Sequence, residues 1–241
     1  MTYQEVVKKA KKVVKKRGVY GNGDLELYAC DTWLHGNQIN LWTYWQGYQI
    51  KDIDIGIDIL LVGQDWGNPE RVLECKKRIE RIQKGSSELY MDEKISPTDR
   101  NLAELFDILG CDIRTNRVGK RILFTNYCLG YRKGSDTRGM TLSLMKMDKE
   151  LFDDLVKAVH PKVIICLGKI TYEAVSGQHA NNFLKQLKKG IPFVSRYPGV
   201  DSIKIFGVAH CGSLGSRNVG GMSNMKKAWD KIAFELEECY C

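Results

Sequence analysis

The sequence lacks several features that mark specialised classes of protein. Its five prolines form no proline-rich linker, and no apolar run approaches the roughly 20 residues that span a bilayer. The amino terminus has no apolar stretch followed by the small-residue cleavage site of a secretory signal. These absences exclude membrane-spanning, fibrous and disordered proteins, and we expect a globular protein of the cytoplasm.

Motifs that hold metals or nucleotide cofactors are also missing. None of the eight cysteines has the CxxC spacing of a zinc or redox site. The chain has neither the GxxxxGK[ST] pattern of a P-loop nor a GxGxxG after its first strand-like segment. We therefore expect reduced thiols and a protein that uses no metal and no cofactor.

Positive charge is in excess and is concentrated in two segments. The chain has 37 lysines and arginines against 29 acidic residues, a net charge of +8. Residues 1–17 hold seven basic residues against Glu5, and residues 114–138 hold seven against Asp136. Such patches attract polyanions, nucleic acid first and anionic membrane second. A solvated surface without a partner is the alternative interpretation.

The first of these segments has the pattern of a basic amphipathic helix. Residues 3–16 place apolar side chains at helical spacing with lysines opposite; these are Val6, Val7, Ala10, Val13 and Val14. An apolar face of valine and alanine gives only shallow burial in lipid, so we expect no membrane binding. Residues 18–55 are rich in glycine, aspartate and tryptophan and are predicted to form loops with short elements.

From residue 56 onward, short apolar runs alternate with helical patterns. The runs cover residues 57–63, 121–126, 162–168 and 203–210. Helices are predicted at 70–84, 99–109, 147–159, 169–187 and 222–238. Runs that are apolar at nearly every position indicate strands covered on both faces. We predict an α/β fold, a three-layer α/β/α sandwich around a four-stranded, mostly parallel sheet. Residues 1–241 form one domain, with 1–55 as an extension and 56–241 as the core.

Polar residues follow three of the predicted strands. Asp65, Asn126 and His210 come at or just after the ends of their apolar runs. Open α/β sheets bind ligands beyond the carboxyl ends of their strands, so these side chains are expected on one rim. Taken singly, each has a purely structural alternative: a helix cap for the aspartate, a turn for the asparagine, and a buried core position for the histidine.

A glycine-rich segment follows His210. It reads CGSLGSRNVGG at 211–221 and contains Ser213, Ser216 and Arg217. Glycine-rich backbone with hydroxyl and guanidinium donors can bind phosphates. A long flexible connection to the last helix is the alternative. The sequence therefore predicts a phosphate-binding loop beside the rim.

Four short motifs together resemble the uracil-DNA glycosylase superfamily. They are GQDWG at 63–67, LFTN at 123–126, CLGK at 166–169 and HCGSL at 210–214. The best-known branch of that superfamily has GQDPYH and HPSPLS at the first and last of these places. The resemblance covers about residues 56 to 236 in order and spacing. Each motif alone is weak, and the ordered set carries the resemblance.

The resemblance implies a role for each matched residue. Asp65 would orient the hydrolytic water and stabilise the cationic sugar, and His210 would stabilise negative charge on the leaving base. Asn126 would read the flipped base, and Leu214 would be the wedge inserted into the base stack. The remaining implied contacts are Gln64, Trp66 and Gly67 with the base, and Gly168, Lys169, Ser213, Ser216 and Arg217 with DNA.

Two departures from the family pattern bear on specificity. Trp66 and Gly67 replace a Pro-Tyr pair whose tyrosine excludes the methyl group of thymine, so a wider pocket is expected. HCG also replaces HPS, which removes one expected phosphate hydroxyl. The aromatic ring that stacks on the base has three candidates, Trp66, Tyr90 and Tyr131.

The sequence thus predicts a hydrolase, a monofunctional DNA glycosylase of base excision repair that acts as a monomer. It would flip uracil or a related deaminated base out of single- or double-stranded DNA and hydrolyse its N-glycosidic bond. The alternative from a different class is a non-catalytic nucleic-acid- or nucleotide-binding protein on the same scaffold, because a fold alone does not fix a function.

Overall fold

The chain has an α/β fold in which helices flank a mostly parallel sheet, as the sequence predicts. A computed structural model describes residues 1–17, 19–21, 26–29, 45–46, 56–65, 97–114, 122–132 and 139–238. The predicted helix at 70–84 lies outside these residues. No helix within them is long and apolar enough to cross a membrane.

The strands and helices of the described residues are as follows. The strands are β1 (Val19–Gly21), β2 (Glu26–Ala29), β3 (Trp45–Gln46), β4 (Ile59–Gly63), β5 (Ile122–Asn126), β6 (Gly130–Arg132), β7 (Val163–Leu167), β8 (Phe193–Tyr197) and β9 (Val200–Val208). The helices are α1 (Tyr3–Arg17), α2 (Pro97–Ile108), α3 (Leu142–Lys146), α4 (Lys149–Val159), α5 (Lys169–Ser176), α6 (Phe183–Leu187), α7 (Ser213–Asn218) and α8 (Met222–Glu238).

The main sheet has the strand order β3-β5-β4-β7-β9-β8. The four apolar runs supply its four parallel strands, β5, β4, β7 and β9. The predicted count of four strands was wrong, because β3 and β8 pair antiparallel at the two edges. In β8, exposed positions alternate with positions that are buried or partly buried. The strand therefore lacks the continuous apolar run that identified the four parallel strands. A second sheet contains β1, β2 and β6.

The topology places helices on both faces of the main sheet. Strands β4 and β7 are buried along their whole length. Strand β5 lies on one side of β4 and β7 on the other, so right-handed crossovers put α2 and α4 on opposite faces. Helix α8 packs on α2, and α1 packs on α4. The sheet is therefore the middle layer. The helices cover its two faces, and the ends of its strands lie between the two helix layers.

Two predicted segments differ from the structure. The helix predicted at 169–187 is interrupted, because Gly177 adopts a left-handed conformation with φ 71° and caps α5. The glycine-rich segment at 211–221 was predicted as a loop, but α7 forms within it. The other three predicted helices that can be compared are present, and the structure adds α3 ahead of α4.

Helix α1 forms as predicted, and part of its predicted apolar face is buried. Tyr3, Val6 and Ala10 are buried in the main core. Val13, which the spacing placed on the apolar face, is 36% exposed. The side chains of Val7 and Val14 lie outside the described residues. Among the described side chains, the buried face of α1 thus consists of Tyr3, Val6 and Ala10.

Ion pairs fix α1 against α4. The Arg17 Nη2 and Asp148 Oδ1 atoms are 2.7 Å apart, and these side chains are only 10% and 1% exposed. Asp148 Oδ2 also accepts a hydrogen bond of 2.7 Å from the backbone N–H of Leu129. Lys9 Nζ lies 2.6 Å from both Glu150 Oε1 and Asp154 Oδ2. The Asp148 carboxylate therefore joins α1 to the segment that follows β5.

Substitution of Asp148 by alanine should destabilise the protein strongly. The change leaves the buried Arg17 guanidinium without its carboxylate and the Leu129 N–H without its acceptor. Breaking one partner of a buried ion pair typically costs about 3–5 kcal/mol. Urea denaturation followed by circular dichroism would measure the loss. Glu150→Ala is the matched control, because its carboxylate is exposed and little change is expected; equal losses in both variants would contradict the prediction.

Candidate active site

The parallel strands β5, β4 and β9 bring the predicted polar residues to one edge of the sheet. Strand β7 lies between β4 and β9. Strand β5 pairs with β4 so that Asn126 is the partner of Gly63, and β9 pairs with β7 so that Val208 is the partner of Leu167. Asp65 and His210 each follow two residues after their strands. Strands β4 and β9 are separated only by β7, which sets them roughly 10 Å apart. A nucleoside spans such a distance.

Asn126 lies directly over the backbone of Gly63. A Cβ atom built at Gly63 would be 2.1 Å from Asn126 Oδ1, so any larger residue there would displace the amide. Pairing continues beyond the strands: the N–H of Tyr127 donates to Gly63 O and that of Cys128 to Gln64 O, each at 2.9 Å. These bonds hold the Asn126 side chain, which is buried, beside the segment that leads to Asp65.

The carboxylate of Asp65 is held by its neighbour. Gln64 Nε2 donates a hydrogen bond of 2.8 Å to Asp65 Oδ2, and both side chains are partly exposed. A hydrogen bond to one oxygen fixes the plane of the carboxylate while solvent still reaches it. This arrangement suits a group that must orient a water molecule.

His210 is held as a neutral imidazole. The backbone N–H of Gly212 donates a 3.0 Å hydrogen bond to His210 Nδ1, so the ring proton is on Nε2. Desolvation by the surrounding protein lowers the pKa of His210 from its ordinary value, and the Asp65 carboxylate opposes this fall. The residue is nevertheless exposed at the surface. The His210 ring is therefore exposed to solvent and also packed against protein, and it interacts electrostatically with Asp65.

Residues on α2 and α7 fix the segment that carries His210. Asn101 of α2 is buried, and its Nδ2 atom donates a 2.7 Å hydrogen bond to the carbonyl oxygen of Cys211. A Cβ atom at Gly215 of α7 would be 2.0 Å from the carbonyl oxygen of His210, so α7 packs directly on this backbone. Sequence reasoning missed Asn101; a polar residue beside Leu102 in an amphipathic helix was the available signal.

Helix α7 projects from the same edge and buries none of its side chains. Leu214 is 59% exposed, Ser213 and Arg217 are exposed, and Ser216 is partly exposed. Leaving a leucine in water forgoes the stabilisation that its burial would give. The helix thus presents one apolar side chain flanked by hydroxyl and guanidinium donors.

Gly168 and Lys169 also lie at this edge. Gly168 has φ 99° and its N–H donates a 2.8 Å hydrogen bond to the carbonyl oxygen of Val208, which joins β7 to β9 at the rim. Lys169 is exposed, and its Nζ atom lies 3.6 Å from Glu173 Oε1 on the next turn of α5. A phosphate that binds Lys169 would therefore compete with the carboxylate of Glu173.

The remaining predicted site residues cannot be compared with the structure. Trp66, Gly67 and Tyr90 lie outside the described residues, as does the side chain of Tyr131, whose backbone belongs to β6. The described residues therefore include the carboxylate, the amide, the imidazole and the exposed leucine of the predicted site, and the structure brings these four to one edge of the sheet.

Comparison with known proteins adds no further assignment. No protein-family model matches the chain, and no curated protein matches it. The resemblance to the uracil-DNA glycosylase superfamily consequently depends on the four short motifs. Within the fold, each of those motifs includes or closely follows the carboxyl end of one strand: β4, β5, β7 or β9.

Substitution of Asp65 by asparagine should lower the pKa of His210 further. The carboxylate favours the charged imidazolium and the amide does not, so its removal disfavours protonation. The titration of the His210 ring protons, followed by NMR, would measure the shift. Asp201→Asn, at the start of β9 on the opposite edge of the sheet, is the control. An unchanged midpoint for the titration of His210 in Asp65→Asn would mean that the two side chains do not interact.

Proposed function

We propose that this protein is a DNA glycosylase that hydrolyses the N-glycosidic bond of uracil or a related deaminated base. The observation that carries the proposal is that β4 and β9 bring the Asp65 carboxylate and the His210 imidazole to one edge of the sheet, where the two groups interact electrostatically. Cleavage of this bond creates positive charge on the sugar and negative charge on the base. Two groups of suitable character are therefore available at the two ends of the bond.

Asp65 acts on the sugar. As the C1′–N bond breaks, the deoxyribose gains the character of an oxocarbenium ion, which a fixed carboxylate stabilises. The same carboxylate orients a water molecule toward C1′. The water oxygen forms the new C1′–O bond, and the proton it loses ends on the released base. The hydrogen bond from Gln64 keeps the carboxylate in place and requires no rearrangement during the reaction.

His210 acts on the leaving base. Its Nδ1 atom already accepts the Gly212 N–H, so its Nε2–H is the donor that the ring can offer to a carbonyl oxygen of the base. A hydrogen bond from a neutral imidazole stabilises the anionic base without a full proton transfer. The lowered pKa favours this form near neutral pH.

Asn126 reads the base. Its amide carries a donor and an acceptor in one plane, which matches the donor and acceptor edge of a pyrimidine or deaminated purine. The contact with Gly63 fixes the orientation of that amide. The resemblance implies that residue 67 also affects selectivity, because glycine replaces the tyrosine that excludes the methyl group of thymine.

The base must leave the duplex before it reaches these groups. Flipping requires unstacking, at a cost of a few kcal/mol. The exposed Leu214 is placed to fill the space left in the base stack. Ser213, Ser216 and Arg217 on the same helix, which are exposed or partly exposed, hold the neighbouring phosphates.

The purified protein should release uracil from oligonucleotides, and Asp65→Asn should slow the release about 100- to 1000-fold. The panel comprises single- and double-stranded oligonucleotides with uracil, hypoxanthine or xanthine, and abasic sites are measured by alkaline cleavage. Asp201→Asn removes the same charge at the opposite edge of the sheet and should leave the rate unchanged.

Release of none of these bases by the wild-type protein would overturn the proposal. If the protein then still bound DNA in a salt-dependent manner, with Asp65→Asn binding as well as wild type, the non-catalytic binding protein would be the better description.

Gly63→Ala should slow excision by about 10- to 100-fold, because displacement of the Asn126 amide removes one bidentate base contact. The backbone of Gly63 does not need glycine for its conformation, so the effect is steric. A double-mutant cycle tests this: in an Asn126→Ala background the new methyl group meets no amide, and Gly63→Ala should have no further effect. Additive losses in the cycle would show that the contact is not the cause.

A further inference from the structure

The basic residues of α1 whose side chains the structure describes fall into two groups with different surroundings. Lys9 and Arg17 form ion pairs with carboxylates on or next to α4. Lys8, Lys12 and Lys16, the lysine row, are exposed and follow one another at intervals of four residues. Within the described part of the chain, the row makes no ion pair. The exposed Glu5, one turn before Lys8, interacts with that lysine electrostatically.

The lysine row is unfavourable for α1 by itself. Like charges four residues apart on a helix repel each other. The helix tolerates this repulsion because Tyr3, Val6 and Ala10 are buried in the core and because Lys9 and Arg17 are paired. None of these stabilising contacts involves the row. A row of unpaired cations on a firmly packed helix is the pattern of a surface that meets an anion outside the chain.

The lysine row leads toward the candidate active site. Lys9 contacts Glu150 and Asp154, whereas Arg17 contacts Asp148, so α1 runs antiparallel to α4. Helix α4 follows β5 and leads to β7, and it therefore starts at the carboxyl edge of the parallel strands. The carboxyl end of α1 lies at that edge.

A chain of contacts fixes this placement. Arg17 contacts Asp148, and Asp148 accepts the N–H of Leu129, three residues after Asn126. Lys16 precedes Arg17 and is the member of the row nearest to the site. From Lys16 to Lys8 the row extends about 12 Å down the side of the protein.

We propose that the lysine row binds the DNA backbone next to the candidate active site and extends the contact to nucleotides that flank the lesion. The identity of the polyanion as DNA rests on the proposed function. Successive lysines are about 6 Å apart along α1. One strand of a duplex presents a phosphate every 3.4 Å or so along its axis, so a row about 12 Å long spans enough phosphates for each of its three lysines to meet one. An anionic membrane is disfavoured, because Tyr3, Val6 and Ala10 on the apolar face of α1 are buried and cannot insert.

The test compares two triple variants with wild type. The row variant is Lys8→Gln, Lys12→Gln and Lys16→Gln, in which glutamine keeps the helix propensity and most of the side-chain length. The matched control is Lys185→Gln, Lys188→Gln and Lys189→Gln. These lysines are also exposed and lie in or just after α6, which packs on α8, on the face opposite α4. Circular dichroism and urea denaturation verify that both variants are folded.

Binding to a lesion-free duplex is measured by fluorescence anisotropy at several salt concentrations. Each lost phosphate contact reduces the slope of log affinity against log salt by about 0.9, so the row variant should lose about 2 to 3. The control variant should keep the wild-type slope. An unchanged slope in the row variant, or an equal reduction in both variants, would overturn the proposal.

Two further measurements separate the alternatives. Vesicles containing phosphatidylserine are tested for binding: loss of vesicle binding in the row variant, together with an unchanged DNA slope, would assign the row to membranes and overturn the proposal. The single-turnover rate of uracil release at saturating DNA should be unchanged in the row variant. If even the wild type releases no base, the proposed function fails, whereas the slope measurement still decides whether the row binds DNA.

Discussion

The parallel pairing of β4 with β5 is the constraint on which the candidate site depends. It sets Gly63 opposite Asn126, and two further backbone hydrogen bonds extend the pairing past the strand ends. Because a Cβ atom at Gly63 would overlap the Asn126 amide, the glycine and the asparagine form one unit. Asp65 follows this unit by two residues. A slip of one residue would turn the asparagine to the other face of the sheet and separate it from the carboxylate.

The histidine depends on a different set of contacts, because β9 ends before it. The position of His210 is fixed by the Gly212 N–H on its ring, by Asn101 on the next carbonyl oxygen and by the close packing of Gly215. These contacts come from α2, α7 and the loop itself. The site therefore joins a sheet edge, which is rigid, with a loop that two helices hold. Its electrostatic character follows from this position, since protein atoms surround the imidazole while its surface remains accessible.

The parts of the fold that could be predicted are those with strong local patterns. Strands covered on both faces are apolar at nearly every position, so the four parallel strands were identifiable, and so was the edge where their polar residues meet. Strand β8 is covered on one face only and has no such run. The break after α5 depends on the backbone conformation of Gly177, and the role of Asn101 depends on a contact across 110 residues of chain. Neither is a property of a local segment.

The same distinction applies to the basic amino-terminal segment. Its composition gives a large positive charge. In the structure, some of the basic residues form ion pairs within the protein and others are exposed at the surface. Lys9 and Arg17 are neutralised within the protein, and the pairing of Arg17 with Asp148 is almost completely buried. Lys8, Lys12 and Lys16 keep their charge at the surface. Which lysines face outward follows from the rotation of α1, in which Tyr3, Val6 and Ala10 face the core. A positive net charge therefore indicates that the protein attracts a polyanion, whereas the packing of the helix determines which side chains can reach that polyanion.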